Sequence, residues 1–274
     1  MIPAEPTIKL QPFHQQALQR AIADLENRDF AAQLADYAGR PIDRVLRLMP
    51  KAASNRFNRV VENAILKSLN VAIRSIEPRS KRPPARRAAS VLAGISGGVG
   101  GFFGLAALPI ELPVTTTLML RAIADIARHH GENLSTLEAR LACVEVFALG
   151  APNVDTGRTD IGYYASRALI GRLAADATSI FAERSVASLS APVVSGLVTE
   201  IATRFGVVVS ERSAASALPV LGAVGGATIN VLFMNHFQRV ARGHFAIRQL
   251  ERQYGATVVR RHYDAHAPQR KSRR

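Results

Sequence analysis

Residues 88–110 read AASVLAGISGGVGGFFGLAALPI and contain no charged side chain. Glycines recur every three or four residues here, and five of them would form a strip of small residues on a helix: Gly94, Gly97, Gly98, Gly101 and Gly104. Such a strip lets another backbone approach closely. Because each interior glycine costs a water-exposed helix about 1 kcal/mol relative to alanine, this composition indicates a tightly packed core or a bilayer.

A second uncharged segment of the same length covers residues 213–235, SAASALPVLGAVGGATINVLFMN. Gly222 and Gly226 repeat the small-residue spacing. Both segments reach the length of about 20 residues that a helix needs to span a bilayer, but Pro109 and Pro219 would interrupt a straight helix. We predict that the two segments pack as a pair. Two alternatives stay open: burial in a helical core, or membrane contact as a span, a re-entrant hairpin or an interfacial helix.

The composition allows a large core and indicates a reducing compartment. Of 274 residues, 48% are hydrophobic, and the mean hydropathy of +0.07 lies between that of soluble and polytopic membrane proteins. The absence of tryptophan weakens the membrane interpretation, since tryptophan favours membrane interfaces. A single cysteine, Cys143, excludes an intramolecular disulfide. The N-terminus lacks the pattern of a secretory signal, so we expect a cytoplasmic protein.

The formal net charge is +14, and basic residues cluster next to the first uncharged segment. This cluster, here called the basic connector, comprises Arg79, Lys81, Arg82, Arg86 and Arg87. An anionic leaflet attracts such residues by about 1 kcal/mol each, so they are candidate lipid contacts. A second basic run, within residues 260–274, and the connector itself could alternatively be solvated segments. No nucleic-acid motif and no interleaved aromatic residues accompany them, which argues against a nucleic-acid partner.

Helical periodicity covers most of the chain, and no stretch alternates convincingly as a strand. Helices are predicted at residues 11–36, 55–77, 115–130, 135–149, 163–190, 192–210 and 236–254. Ser135 and Glu138 spell a capping box at the start of the fourth helix, and Gly131 suits the end of the third. The sequence therefore predicts an all-α helical bundle that contains the two glycine-rich segments.

Motifs of catalysis and metal binding are weak. Residues 94–98 fit G-x-S-x-G, but the strand and parallel sheet that a nucleophile Ser96 would need are not predicted, so a serine hydrolase is the weakest alternative. His129 and His130 are adjacent and cannot form the i, i+4 pair of a zinc helix. Glu111 lies in the apolar stretch LPIELPV, where it suits a helix N-terminus; a functional acid is the minor alternative. We predict no catalytic, metal or cofactor site.

Three stretches together resemble the EcsC protein family: GFFGLAALPIELPVTTTLMLRAIADIARHHG, LEARLACVEVFALG and LPVLGAVGGATINVLFMNHFQRVARGHFAIRQLE. The resemblance covers roughly residues 40–255, which implies a helical domain between an N-terminal helical extension, 1–39, and a basic tail, 256–274. Members are bacterial, and the founding member is encoded beside an ABC transporter. The positions that match the family's pattern are Gly97, Gly98, Gly101, Glu111, Pro113, Arg121, Pro219, Gly222 and Asn230.

The residues and the resemblance together predict a non-enzymatic accessory protein associated with the inner face of the cell membrane. The expected partner is an anionic membrane surface or a membrane protein, which an ABC transporter would exemplify. The alternative is a soluble helical scaffold that binds a protein partner.

Overall fold

The computed structural model describes residues 10–26, 30, 51–75, 108–151, 162–183, 192–216 and 222–267. Those residues form eight α-helices and no strand, which confirms the predicted all-α class. In chain order the helices are α1 (Pro12–Glu26), α2 (Lys51–Ser75), α3 (Leu108–His129), α4 (Leu137–Leu149), α5 (Tyr163–Glu183), α6 (Pro192–Ser216), α7 (Gly222–Tyr254) and α8 (Ala256–His266).

The longest helix, α7, organises the bundle. Its 33 residues extend about 50 Å at 1.5 Å per residue, and it packs against α1, α3, α4, α6 and α8. On the far side of the core, α2 packs against α3, α4 and α6, while α5 contacts α4 and α6. The described helices thus form one bundle around the long helix α7.

Aromatic rings from three helices meet at the centre of the core. Phe147 of α4, Phe205 of α6, and Phe233 and Phe237 of α7 are fully buried, with ring centroids 5.0–5.9 Å apart. Each tilted or edge-to-face pair of this kind contributes about 1 kcal/mol of stability beyond the contribution of the apolar area that it buries. A smaller apolar cluster joins α1, α5, α7 and α8 around Tyr163.

The described part of the second uncharged segment belongs to two helices. Residues 213–216 end α6, and residues 222–235 begin α7. Ile229, Phe233 and Met234 of this segment are fully buried, so its described part belongs to the core. Helix α7 continues unbroken from this segment into the charged stretch, residues 236–254, that the sequence predicts to be helical. No described helix combines the length and the apolar character needed to cross a membrane.

The predicted C-terminal glycine of the third helix is confirmed, whereas the predicted N-cap of the fourth helix is wrong. Gly131, with φ of 76°, follows α3 in the left-handed conformation that favours glycine. The capping prediction is wrong by one residue, because Thr136 is the N-cap of α4 and its hydroxyl accepts from the N–H of Ala139. Ser135 instead donates to the side chain of Asn133, which turns it away from the helix.

Close backbone approach through glycine occurs at a position that the sequence did not single out. A Cβ on Gly243 of α7 would lie 2.7 Å from Cγ of Leu25 and 2.9 Å from the carbonyl oxygen of Ala21. Helix α1 can therefore contact α7 this closely only because residue 243 has no side chain. Helix α8 was also missed: it occupies the first part of the stretch assigned to the basic tail and packs on α7 and α1.

Candidate functional site

A buried polar cluster joins three helices at one end of the bundle. Glu111 comes from the first turn of α3, Arg212 from the end of α6 and Asn230 from the third turn of α7. Arg212 forms an ion pair with Glu111 through Nη2, and its Nε donates to Oδ1 of Asn230 over 2.7 Å. The amide of Asn230 donates to Oε1 of Glu111 over 3.1 Å. The three side chains therefore close a ring of hydrogen bonds, here called the Glu111 cluster.

The Glu111 cluster lies in an apolar environment. Arg212 is only 4% exposed, Asn230 is fully buried, and the guanidinium lies 5.2 Å from the ring centroid of Phe233. Burial lowers the pKa of Arg212, and the carboxylate of Glu111 opposes that shift. Removing a guanidinium from water is costly, so its charge depends on the carboxylate and on the aromatic face beside it. Chemically the cluster holds three helices together, because Oε1 of Glu111 accepts from both Arg212 and Asn230, and Oδ1 of Asn230 accepts from Arg212.

The Glu111 cluster also marks where the two uncharged segments end. Glu111 directly follows the first segment, residues 88–110, and Arg212 directly precedes the second, residues 213–235. The first charge after one segment is thus paired with the last charge before the other. Glu111 and Asn230 stand out in the sequence, whereas Arg212 does not. The available signal was its position at the segment boundary, opposite in charge to the residue at the other boundary.

Beside this cluster, α3 exposes an apolar face. Ile110 is 78% exposed and Val114 is 51% exposed, and their spacing of four residues places them on the same side of the helix. Arg121, three turns from Ile110, lies on that side as well and is exposed. Among the described residues, none forms an ion pair or a hydrogen bond with Arg121. We call Ile110, Val114 and Arg121 the α3 face.

Pro113 lies inside α3, and threonine hydroxyls bond with the backbone carbonyls beside it. The sequence predicted that the helix would begin after this proline, but it begins at Leu108, so the predicted start is wrong. As the sixth residue of α3, Pro113 lies beyond the first turn, so its missing N–H removes one helical hydrogen bond. Thr117 donates to the carbonyl of Pro113 over 2.7 Å, and Thr116 donates to that of Leu112 over 2.8 Å.

The family model of the EcsC protein family matches residues 15–250. The match covers most of the chain, including α1 from its fourth residue onward and all but the last turn of α7. The chain belongs to the EcsC protein family. Neither a search of curated proteins nor a search of solved structures found a match. The structure places Glu111 and Asn230 in the Glu111 cluster, whereas Pro113 and Arg121 lie further along α3.

Several predicted positions of this EcsC chain fall outside the described residues. They are the basic connector (Arg79, Lys81, Arg82, Arg86 and Arg87), the glycines of the first segment (Gly94, Gly97, Gly98, Gly101 and Gly104), Ser96 and Pro219. Gly222 and Gly226 lie in the first two turns of α7. The pairing of the two uncharged segments and the three-part division of the chain stay predictions.

Two other reactive side chains of this EcsC chain, Cys143 and His236, are buried. Burial raises the pKa of the Cys143 thiol well above its ordinary value, so the thiol is not a ready nucleophile. His236 donates from Nε2 to the carbonyl oxygen of Gly150 over 2.6 Å, and burial lowers its pKa to about 4. Within the described part of the chain, no three His, Cys, Asp or Glu side chains group closely enough to hold a metal.

Proposed function

We propose that this chain is a non-enzymatic accessory protein that attaches to the anionic inner face of the cell membrane, where it serves a membrane protein such as an ABC transporter. The observation that carries the proposal is the α3 face. Exposed Ile110 is the last residue of the uncharged segment, exposed Val114 lies one turn beyond it, and Arg121 follows on the same side. An apolar stripe beside a cation suits a lipid interface, where acyl chains meet charged headgroups.

Charge supports the same attachment. The net charge is +14, and the five residues of the basic connector precede the uncharged segment that ends at the α3 face. At about 1 kcal/mol each, five such residues exceed what any one apolar contact contributes. The Glu111 cluster would fix α3 against α6 and α7, so that the α3 face has a defined orientation.

Sedimentation with vesicles tests this proposal. The full chain should bind vesicles that contain phosphatidylglycerol and should release them as salt is raised, because surface charge is screened. Changing Ile110 and Val114 together to serine should lower binding at least tenfold, since each apolar side chain contributes roughly 1.5–3 kcal/mol when buried. Changing all five residues of the basic connector to glutamine should remove the preference for anionic lipid.

The matched control replaces two exposed apolar residues elsewhere, Phe13 and Leu169, with serine. This control should bind as the unmodified chain does. Equal binding to neutral and anionic vesicles, or no binding by the unmodified chain, would refute the membrane proposal. A chain that ignores vesicles but co-purifies with one protein would instead support the helical scaffold.

A further inference from the structure

A cavity of about 880 Å³ lies between α4, α5, α7 and α8, away from the α3 face. Its volume falls in the range that holds small organic ligands. Charged residues of all four helices line it: Glu138 and Glu145 of α4, Arg167 and Arg172 of α5, Arg248 and Glu251 of α7, and Arg260, Arg261 and Asp264 of α8. Small side chains of α5 and α8 complete the wall, so the space is open rather than filled.

Three of the five arginines in the cavity have acidic partners. Arg167 donates to both carboxylate oxygens of Glu251, over 2.9 and 2.7 Å. Arg248 is bound by two carboxylates, with Nε 2.8 Å from that of Glu132 and Nη2 3.4 Å from that of Glu138. Bidentate pairs of this kind hold the guanidinium planes in place. Their charges are balanced within the protein.

The charge of Arg260 is balanced by a longer ion pair, and its side chain lines one side of the cavity. It lies 3.8 Å from the carboxylate of Asp264 and stacks 5.5 Å from the ring centroid of Tyr164. The two remaining arginines, Arg172 and Arg261, have neither an ion pair nor a hydrogen bond with any described residue. Two positive charges from two different helices thus line the cavity without acidic partners.

Glu145 supplies a second, independent indication of a ligand. It is 7% exposed, lines the cavity, and receives no hydrogen bond from any described residue. A buried carboxyl without a partner is costly, so a ligand group that bonds with it would be stabilising. Burial raises the pKa of Glu145 to about 7, with Arg248 and Arg167 lowering it and Glu138 raising it. Near neutral pH it can therefore donate a proton to a hydrogen bond with an anionic oxygen.

We propose that this cavity binds an organic phosphate monoester, with the phosphate held by Arg172 and Arg261 and an oxygen of the ligand bonded to Glu145. The charge balance selects the phosphate, because a monoester carries nearly two negative charges at neutral pH whereas a carboxylate carries one. The apolar wall, which includes Leu141, Ala174 and Ala175, would contact the organic part. This inference does not depend on the membrane proposal, since it uses other helices.

Isothermal titration of the full chain at pH 6.5 tests the proposal with two probes. One is glycerol 3-phosphate, a soluble monoester, and the other is dihexanoyl phosphatidic acid below its micelle concentration, which carries the same phosphate on a lipid. Binding of either supports the proposal. Binding of the lipid alone assigns the source as a headgroup, and comparable binding of both assigns it as a soluble ester. Hexanoate should bind at least tenfold more weakly than the better phosphate probe.

Two variants locate the site without disturbing the core. Changing Arg172 and Arg261 together to glutamine should lower affinity at least tenfold; both side chains are exposed. Gly171→Leu should have a similar effect, because Gly171 lines the cavity and a Cβ there would contact nothing within 4 Å. The matched controls are Arg20→Gln with Lys67→Gln, which removes two exposed charges elsewhere, and Gly196→Leu, at another helical glycine with open space.

The controls should bind within twofold of the unmodified chain. The proposal is overturned if the unmodified chain binds neither phosphate probe. It is also overturned if the double glutamine variant or Gly171→Leu binds a phosphate probe with the same affinity as the unmodified chain. An equal loss in the Arg20 and Lys67 control would show non-specific attraction to a basic protein and would also overturn it.

Discussion

At the scale of single residues, the Glu111 cluster shows how costly a buried charge becomes once its partner is removed. Glu111→Gln would leave the guanidinium of Arg212 in an apolar site with a neutral partner. We expect the free energy of unfolding to fall by about 3–5 kcal/mol, as when other buried pairs are broken. Urea denaturation followed by circular dichroism measures this change.

The double variant Glu111→Leu with Arg212→Met tests whether the loss of stability comes from an unpaired buried charge or from the loss of the ion pair itself. Removing both charges should restore at least half of the lost stability, since neither desolvation penalty remains. Asp264→Asn is the control, because that carboxylate pairs with Arg260 at the surface, where such pairs contribute less than about 1 kcal/mol. If the double variant were less stable than Glu111→Gln alone, the pair would be net stabilising and the prediction would be wrong.

Glu145 makes a separate prediction about pH. Its pKa is raised to about 7 by burial, above the value near 4.3 in an unfolded chain. The native state therefore holds a proton that the unfolded state has lost, and stability falls as pH rises from about 4 to 8. Glu145→Gln resembles the protonated form at every pH. We expect this variant to be more stable than the unmodified chain by roughly 3 kcal/mol at pH 8 and equal to it at pH 4.

Urea titrations at these two pH values check this prediction. Glu138→Gln is the control, since the side chain of Glu138 is largely exposed and its loss should change stability little at either pH. A constant difference between Glu145→Gln and the unmodified chain across the pH range would show that the carboxyl titrates normally.

The sequence alone could identify part of the Glu111 cluster but not its partner. Glu111 was noticed because a carboxylate in an apolar stretch stands out, and Asn230 because it fits the family's pattern. Arg212 reads as a solvated charge at the edge of an apolar segment. Its partner Glu111 is 101 residues away, and no local periodicity reveals a contact over that separation. Arg172, Arg261 and Glu145 were missed for the same reason, since three helices must pack before they share a cavity.

At the scale of helices, periodicity predicted where most elements lie and failed where local chemistry competes with it. The predicted helix at residues 55–77 corresponds to Lys51–Ser75, because one broad apolar face fixes it. The sequence places the start of α3 too late, since Pro109 and Pro113 suggest a break, whereas both prolines lie within the helix. The sequence does not predict α8, because its many basic residues resemble a solvated tail, although Val259 and Tyr263 are buried.

The packing of α1 on α7 yields a prediction for one glycine. Gly243→Ala would place a Cβ 2.9 Å from the backbone oxygen of Ala21, and that oxygen cannot move unless α1 shifts. We expect a loss of about 1–3 kcal/mol from overpacking, despite the better helix propensity of alanine. Gly196→Ala is the matched control, because nothing lies within 4 Å of its Cβ and it should gain up to about 1 kcal/mol.

Thermal denaturation of both glycine variants provides the measurement. Stabilisation by both substitutions would mean that α1 does not approach α7 as closely as the structure shows. Loss of stability in Gly243→Ala alone would confirm the close approach of α1 to α7.

At the scale of the whole molecule, buried histidines and a buried carboxyl oppose one another as pH falls. His236 has its pKa lowered to about 4 by burial, and burial also lowers that of His244, whose Nδ1 bonds with the hydroxyl of Tyr163 over 2.9 Å. Neither can accept a proton without cost, whereas the unfolded chain accepts both near pH 6.5. The native state therefore has its full free energy of unfolding above pH 6.5. That free energy decreases as pH falls from 6.5 to about 4, by roughly 3 kcal/mol for His236 alone.

Over the same range Glu145 gains a proton and stabilises the native state, so the two effects partly cancel in the unmodified chain. We expect Glu145→Gln to lose that compensation. Its urea midpoint should therefore fall more steeply between pH 7 and pH 4 than the midpoint of the unmodified chain. His236→Gln should flatten the same limb if its amide keeps the bond to Gly150, and His262→Gln, at the surface helix α8, is the matched control. Identical slopes for the unmodified chain and Glu145→Gln would show that these buried groups do not govern the response of the whole bundle to acid.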